Sequence, residues 1–423
     1  MSKIRIGIVG YGNIGRGVEL AIERNEDMEL AAVVTRRHPD SVEVLTEGVE
    51  KVRLEDVLSL KGKVDVMILC GGSATDLPVM GPEIAKNFNT IDSFDTHAKI
   101  PEYFARRMPE VNGTFVQGES EVASVNMLYG AASTGIRAMS SSSSCGISLY
   151  SEGVSYMASA RIPAVYVNVQ RGGPGIGAIQ PAQQDYFQAT KASGNGGFKM
   201  LVLAPSTVQE CVDMVYEAFD LAARDENPVL VLTDGVMGTM MEPVVLPPMK
   251  SDEEIAELRK KFEHRAIIGH KRGENAFCRP GSVGTGQEAV NIEAAKLYST
   301  WDKDVEVEEF MTEDAEIILA AYGISARISR VVVKKLREEG IKAGMIRPIK
   351  VSPFPYDTFA NLDFNQVKGI LNVEMSIPSQ MRWDIDHAVQ GRTQVNDCLR
   401  SGGQLLTNDQ VYDAARKLIK EVL

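Results

Sequence analysis

A short apolar run, Ile4 to Val9, breaks into Gly10-Tyr-Gly-Asn-Ile-Gly15 and then into a helical stretch that reaches Asn25. A strand that turns on three spaced glycines into a helix leaves few folds open. The glycines let backbone approach a pyrophosphate, and the helix mouth attracts it through unpaired N–H groups and the helix dipole. Gly10, Gly12, Asn13, Ile14 and Gly15 are therefore candidate cofactor residues. Where NAD is bound, the second strand ends in a carboxylate for the ribose 2′-hydroxyl. Here it ends in Thr35-Arg36-Arg37, with no acid before Asp40. Guanidinium groups pair with a 2′-phosphate, so the expected cofactor is NADP(H).

The pattern continues as an α/β chain. Ile4–Gly10, Leu30–Thr35, Val64–Cys70 and Asn89–Asp92 read as short buried strands, separated by helical segments, which implies parallel pairing. A second block is expected from Thr114, with strands at Thr114–Gln117, Ala164–Gln170, Met200–Ala204 and Val229–Thr233. Glu242-Pro-Val-Val-Leu-Pro-Pro248 reads as its exit linker, and a charged stretch with one helix, Glu253–Glu263, as a connecting excursion. A third block opens with a strand at Ala315–Tyr322 and a helix through Arg327–Glu339. Strands near Ile341–Arg347 and Val367–Val373 follow, and an amphipathic helix, Asp409–Leu423, closes it.

Charge and cysteine placement narrow the partners. A net charge of -12 repels nucleic acid and anionic membrane. No apolar run approaches the ~18 residues a span requires, and glycines rather than a cleavage site follow the first apolar stretch, so a cytoplasmic location is expected. Cys70, Cys145, Cys211, Cys278 and Cys398 lie far apart, with no C-x-x-C pair. Neither zinc nor a cluster of the chain's own is expected.

The residues then carry two resemblances. Ile4-Arg-Ile-Gly-Ile-Val-Gly-Tyr-Gly-Asn13, Cys70-Gly-Gly-Ser-Ala-Thr-Asp76 and Asn89-Thr-Ile-Asp-Ser-Phe-Asp-Thr-His97 resemble meso-diaminopimelate dehydrogenase over residues 1 to about 100. That resemblance implies that Cys70, Gly71, Gly72, Ser73, Ala74 and Thr75 lie along the cofactor, with Asp92 and Asp95 facing the substrate's amino-acid centre. The family's Gly-Trp-Asp-Pro-Gly turn does not follow; the tryptophans are Trp301 and Trp383.

From Ile100-Pro-Glu-Tyr103 onward the text changes. Gly118-Glu-Ser-Glu-Val-Ala-Ser124, Tyr129-Gly-Ala-Ala132, Ser140–Ser144, Val169-Gln-Arg-Gly-Gly-Pro174 and Asp185-Tyr-Phe-Gln-Ala-Thr-Lys191 come in order. Arg347-Pro-Ile349, Pro353-Phe-Pro355 and Val373-Glu-Met375 follow. Over residues 101–423 this series resembles the α-type subunit of 2-oxoacid:ferredoxin oxidoreductases, closest to the branched-chain (2-ketoisovalerate) type. Together the two resemblances imply an α/β fold: an incomplete Rossmann-like NADP(H)-binding segment over 1–104, a thiamine pyrimidine-binding-type domain lacking its usual first strand–helix–strand over 105–248, a connecting region over 249–310 and a transketolase C-terminal-like domain over 311–423.

Thiamine diphosphate needs a carboxyl group at its pyrimidine N1′, and the resemblance gives that role to Glu121. Taken alone, Glu119 and Glu121 are acids in a helix's first turn, where the dipole favours them. Arg171 closes a strand and opens a glycine loop. A guanidinium fork can hold a 2-oxoacid carboxylate, and the resemblance assigns it to substrate. The serine run and Asp185 are expected to line the pocket without chemistry. The family's Tyr-Pro-Ile-Thr-Pro turn and a Gly-Asp-Gly diphosphate motif are absent from the sequence. The cofactor is thus expected to be shared with a thiamine-binding β-type subunit, with an iron–sulfur γ-type subunit, ferredoxin and coenzyme A as further partners. Three function classes stand: such a subunit, inactive alone; an NADPH-binding dehydrogenase; and a catalytically inert chimera joined near residue 100.

Overall fold

The computed structural model describes residues 3–72, 76–92, 99–191, 193–269, 271 and 286–423, with only the backbone of Asp92 and of residues 99–102. It divides into two compact units, Met1–Gln117 and Gly118–Leu423.

The first unit is one sheet. β1 (Ile4–Val9), β2 (Met28–Thr35), β3 (Glu50–Arg53), β4 (Val66–Leu69) and β5 (Asn89–Asp92) pair throughout in parallel, in the order β3-β2-β1-β4-β5. Strands covered on both faces become near-continuous apolar runs, and Ile8, Val33, Val34 and Met67 are fully buried. α1 (Asn13–Glu23) follows β1, so the glycine turn lies at the carboxyl ends of the strands, where the order switches between β2 and β4. Thr114–Gln117, expected as a strand, is irregular. A strand requires a neighbour's N–H and C=O groups; this segment pairs with none, and Val116 is 65% exposed.

The second unit holds two five-stranded sheets. Its strands are β6 (Met139–Ser142), β7 (Val165–Gln170), β8 (Leu201–Leu203), β9 (Val229–Asp234), β10 (Val307–Phe310), β11 (Ile317–Ala321), β12 (Ala343–Pro348), β13 (Lys350–Ser352), β14 (Gly369–Glu374) and β15 (Gln394–Leu399). The orders are β13-β8-β9-β7-β6 and β10-β12-β11-β14-β15. Both are parallel except at one edge, where β13 pairs antiparallel with β8 and β10 antiparallel with β12. The two sheets interlock, because the chain leaves β12 of one sheet and lays β13 along the other. The region read as a connecting excursion contributes β10 to the last sheet, and also the helix Gly286–Tyr298, which the sequence pattern did not reveal.

A fully buried glutamine ties the sheets together. Gln183 donates through Nε2 to the Tyr322 carbonyl at 2.9 Å, and its Oε1 accepts from Ser325 Oγ at 2.6 Å and Met375 N at 3.0 Å. Burying an amide costs several kcal/mol unless every polar atom is paired, and these contacts meet that demand. Helices sheathe the second sheet; α2 (Leu77–Ala85) and α3 (Lys99–Arg107) belong to the first unit, and α4 (Glu121–Ser133) opens the second. α4 buries Val125, Leu128 and Ala132 in one cluster with Ile147, Tyr150 and Val154. No helix among the described residues is long and apolar enough to cross a membrane.

Candidate active site

In the first unit the glycine turn is built for close approach. Gly10 has φ +92°, and a Cβ there would lie 3.0 Å from the Cys70 backbone, so the position requires glycine. Gly12, the residue before α1, has nothing within 4 Å of its missing Cβ, which leaves the helix mouth open. A shallow cleft beside the turn is lined by Val9, Gly10, Thr35, Arg36, Gly71 and Asp76.

The two arginines are already engaged. Arg36 makes a bidentate pair with Asp76, at 2.9 and 2.8 Å, and Asp76 also accepts from Gly72 N at 3.0 Å. Arg37 reaches back to the Tyr11 carbonyl at 2.7 Å, while its own N–H donates to Thr35 Oγ1 at 3.1 Å. Arg36 therefore borders the cleft, and Arg37 braces the turn. Cys70 is buried, and burial pushes its thiol up to about 11, so it packs as a small hydrophobe. Gly71 and Gly72 continue from it; Ser73, Ala74, Thr75 and Asp95 lie outside the described residues, and Asp92 is placed only as the last residue of β5.

In the second unit, Ser120 caps α4: its Oγ accepts from Ala123 N at 3.2 Å. The helix end is thereby served by Ser120, and the Glu121 carboxylate is free to turn away from it. Glu121 points at the serine run instead, accepting from Ser142 Oγ at 3.3 Å. Gly146 makes room for it, since a Cβ there would lie 2.7 Å from Glu121 Oε1 and 2.2 Å from Ser142 Oγ.

Arg171, one residue past β7, arrives at the same run from the other side. Its Nη2 donates to Cys145 Sγ at 2.6 Å, and its backbone N–H donates to Ser144 Oγ at 2.9 Å. Its Nε is buried without an acceptor among the described residues. A donor in that condition costs free energy until an acceptor meets it. Glu121 and Arg171, fifty positions apart in sequence, are thus brought together on Ser142–Gly146.

The serine run does more than line the pocket. Met139–Ser142 is itself the edge strand β6, and α5 (Cys145–Ser148) follows. Ser142 meets Glu121, Ser143 Oγ donates to the Val169 carbonyl at 2.7 Å, Ser144 meets Arg171 and Asp185, and Cys145 meets the Arg171 head group. Sequence reasoning passed over Cys145, Gly146 and Asn168. Their only signal is the run of small residues that ends in Cys-Gly, whose use depends on which strand lies alongside.

A carboxylate and a guanidinium with a buried, unpaired Nε–H, on a floor of hydroxyls, can hold a proton at a heterocyclic nitrogen and a planar anion side by side. Known proteins similar to this chain fall in one group over most of its length. The model for the pyruvate flavodoxin/ferredoxin oxidoreductase thiamine diphosphate-binding domain matches residues 97–307, and that for pyruvate:ferredoxin oxidoreductase core domain II matches 315–411. The ketoisovalerate oxidoreductase subunit VorB of Methanothermobacter thermautotrophicus is 42% identical over 316 residues, 74% of this chain and 87% of that protein. A solved 2-oxoglutarate:ferredoxin oxidoreductase from Magnetococcus marinus has the same fold over 76% of this chain and 60% of its own, with a TM-score of 0.62 at 20% identity. The front differs: the meso-diaminopimelate D-dehydrogenase of Ureibacillus thermosphaericus is 66% identical over 104 residues, 25% of this chain but only 32% of that enzyme. The chain therefore spans about a third of that relative's length.

Proposed function

This chain belongs to the family of thiamine-dependent 2-oxoacid:ferredoxin oxidoreductase subunits, and from that premise we propose that Glu121 and Arg171 are its catalytic and substrate-binding residues. The observation that carries the proposal is the convergence of Glu121 and Arg171 on Ser142–Gly146.

Thiamine diphosphate, when bound, supplies the carbanion chemistry that decarboxylates a 2-oxoacid. The residues fit it in kind: a carboxylate released from capping duty, with a glycine opposite that leaves room. Glu121 holds the proton at the pyrimidine N1′, while Arg171 offers Nε and Nη donors to the substrate carboxylate in a fork. The sequence carries no diphosphate motif and no cluster cysteines, so a thiamine-binding β-type subunit and an iron–sulfur γ-type subunit complete the unit. Coenzyme A takes the acyl group and ferredoxin the electrons, singly. The substrate is a branched-chain 2-oxoacid, by likeness to the ketoisovalerate subunit.

Deuterium exchange at the thiazolium C2 of bound thiamine diphosphate tests the role of Glu121. In the complex with a thiamine-binding partner, Glu121→Gln is expected to slow exchange about a hundredfold or more. An unchanged rate would remove Glu121 from this role.

For the first unit, we propose NADP(H) binding at the glycine turn. Open space at Gly12 and the cleft beside Arg36 support it. With only a third of the dehydrogenase's length present, amino-acid oxidation is not proposed.

A further inference from the structure

Ser144 is a serine in a conformation that serines avoid. Its φ is +39° and its ψ -92°, outside the regions open to residues with a side chain. Such a backbone persists only when its surroundings fix it, and every polar atom that could do so is used. Ser144 N donates to Asn168 Oδ1 at 2.9 Å, and Ser144 Oγ donates to Asp185 Oδ2 at 2.6 Å. The same Oγ accepts the Arg171 N–H at 2.9 Å. Asn168 in turn donates to Asp185 Oδ2 at 3.0 Å, and Asp185 N donates to Gln170 Oε1 at 3.2 Å.

This geometry sets both ends of Arg171. The backbone end is held by the Ser144 hydroxyl. The guanidinium end is held by Cys145, whose direction leaving Ser144 is dictated by that unusual φ and ψ. With Nη2 on Cys145, Nε is a buried donor without an acceptor among the described residues. Asp185 is the acceptor on which the arrangement closes: at 2.6 Å, against 3.3 Å to the Arg171 carbonyl, it is the nearer acceptor for the Ser144 hydroxyl proton and so turns an oxygen lone pair towards Arg171 N. Burial raises the Asp185 carboxyl above its ordinary range, which fits a group retained for its hydrogen bonds.

We propose that Asp185, acting through Ser144, is a positioning residue that aims Arg171 at the carboxylate of the 2-oxoacid. The proposal rests on the reading of Arg171 as the carboxylate-binding residue, and it adds a specificity device that neither residue's type suggests by itself. It does not touch Glu121, so it separates substrate capture from cofactor activation.

The test uses the chain assembled with its thiamine-binding and iron–sulfur partner subunits, with 2-oxoisovalerate as the substrate and a viologen as the electron acceptor. Arg171→Ala is expected to raise KM about thirtyfold or more. Asp185→Ala and Ser144→Ala are each expected to raise KM about tenfold, with kcat within about threefold and thiamine diphosphate affinity unchanged. Asp185→Asn keeps an acceptor oxygen for Ser144 and Asn168 and is expected to stay within about twofold of the unmodified complex. Asp185→Ala added to Arg171→Ala is expected to raise KM no further.

If Arg171→Ala raises KM while Ser144→Ala and Asp185→Ala leave it unchanged, the positioning role is wrong and the carboxylate reading stands. Should Arg171→Ala itself leave KM unchanged, the carboxylate reading falls and the positioning role with it. If Asp185→Ala does not fold, Ser144→Ala decides alone. A fall in kcat and thiamine affinity without a rise in KM would mean a merely structural role, and would overturn the proposal.

Discussion

Gly146 lacks a side chain because the space is taken: a Cβ would lie 2.7 Å from a Glu121 oxygen and 2.2 Å from Ser142 Oγ. Gly146→Ala is therefore expected to push the Glu121 carboxylate off its position and cut turnover of the assembled complex about a hundredfold, as misplacing a catalytic group by an ångström does. Circular dichroism should show the helix and strand content unchanged. Arg36 offers a second prediction at this scale. It must exchange Asp76 for a 2′-phosphate, so Arg36→Ala is expected to remove about 1–3 kcal/mol of preference for NADPH over NADH. Equal affinity of the unmodified chain for the two cofactors, by fluorescence titration, would contradict this. The sequence singled out Glu121 and Arg171 only through the resemblance to the oxidoreductase family, since an acid in a helix's first turn and an arginine at a strand end carry no signal of their own. Ser144, Cys145 and Gly146 are not legible there, because a hydroxyl, a thiol or a missing Cβ acquires a role only from what lies opposite.

Strands that form the centres of the three sheets were legible as apolar runs, since burial on both faces leaves no polar positions to confuse the pattern. Edges were not. β6 is built mostly of serine and half-buried, so it carries no apolar signal, whereas Thr114–Gln117 has the right residue types and no paired strand among the described residues. β10 and β13 are short edge strands whose pairing is antiparallel, and nothing local marks them. The end of β14 carries a pH prediction. Glu374 is fully buried; it accepts from Asn372 Nδ2 at 2.9 Å and Gln380 N at 2.7 Å through Oε1, and from Met381 N at 3.2 Å through Oε2. Burial pushes its carboxyl up to about 7, against an ordinary 4.5. A carboxyl raised on folding holds its proton more tightly in the folded state, so its contribution is most favourable at low pH and is lost as pH rises through the folded value. Glu374→Gln removes that titration, while its misplaced amide adds a cost independent of pH. The stability of the unmodified chain relative to Glu374→Gln is thus expected to fall by about 2 kcal/mol between pH 5 and pH 8, by denaturant unfolding. A gap independent of pH would contradict it.

At the scale of the molecule, a unit similar to the front of meso-diaminopimelate dehydrogenases and an oxidoreductase-subunit body share one chain, which divides between Gln117 and Gly118. The change of motif near Ile100 made two origins legible. The sequence of the body holds neither a diphosphate motif nor cluster cysteines, and the relatives it matches are oxidoreductase subunits. The most direct measurement is coenzyme A-dependent reduction of ferredoxin by a branched-chain 2-oxoacid, made with the chain alone, with its partner subunits, and with Glu121→Gln in that assembly. The account predicts no turnover alone, turnover with partners, and none with Glu121→Gln. Full activity from the isolated chain, or undiminished activity of the Glu121→Gln assembly, would contradict it.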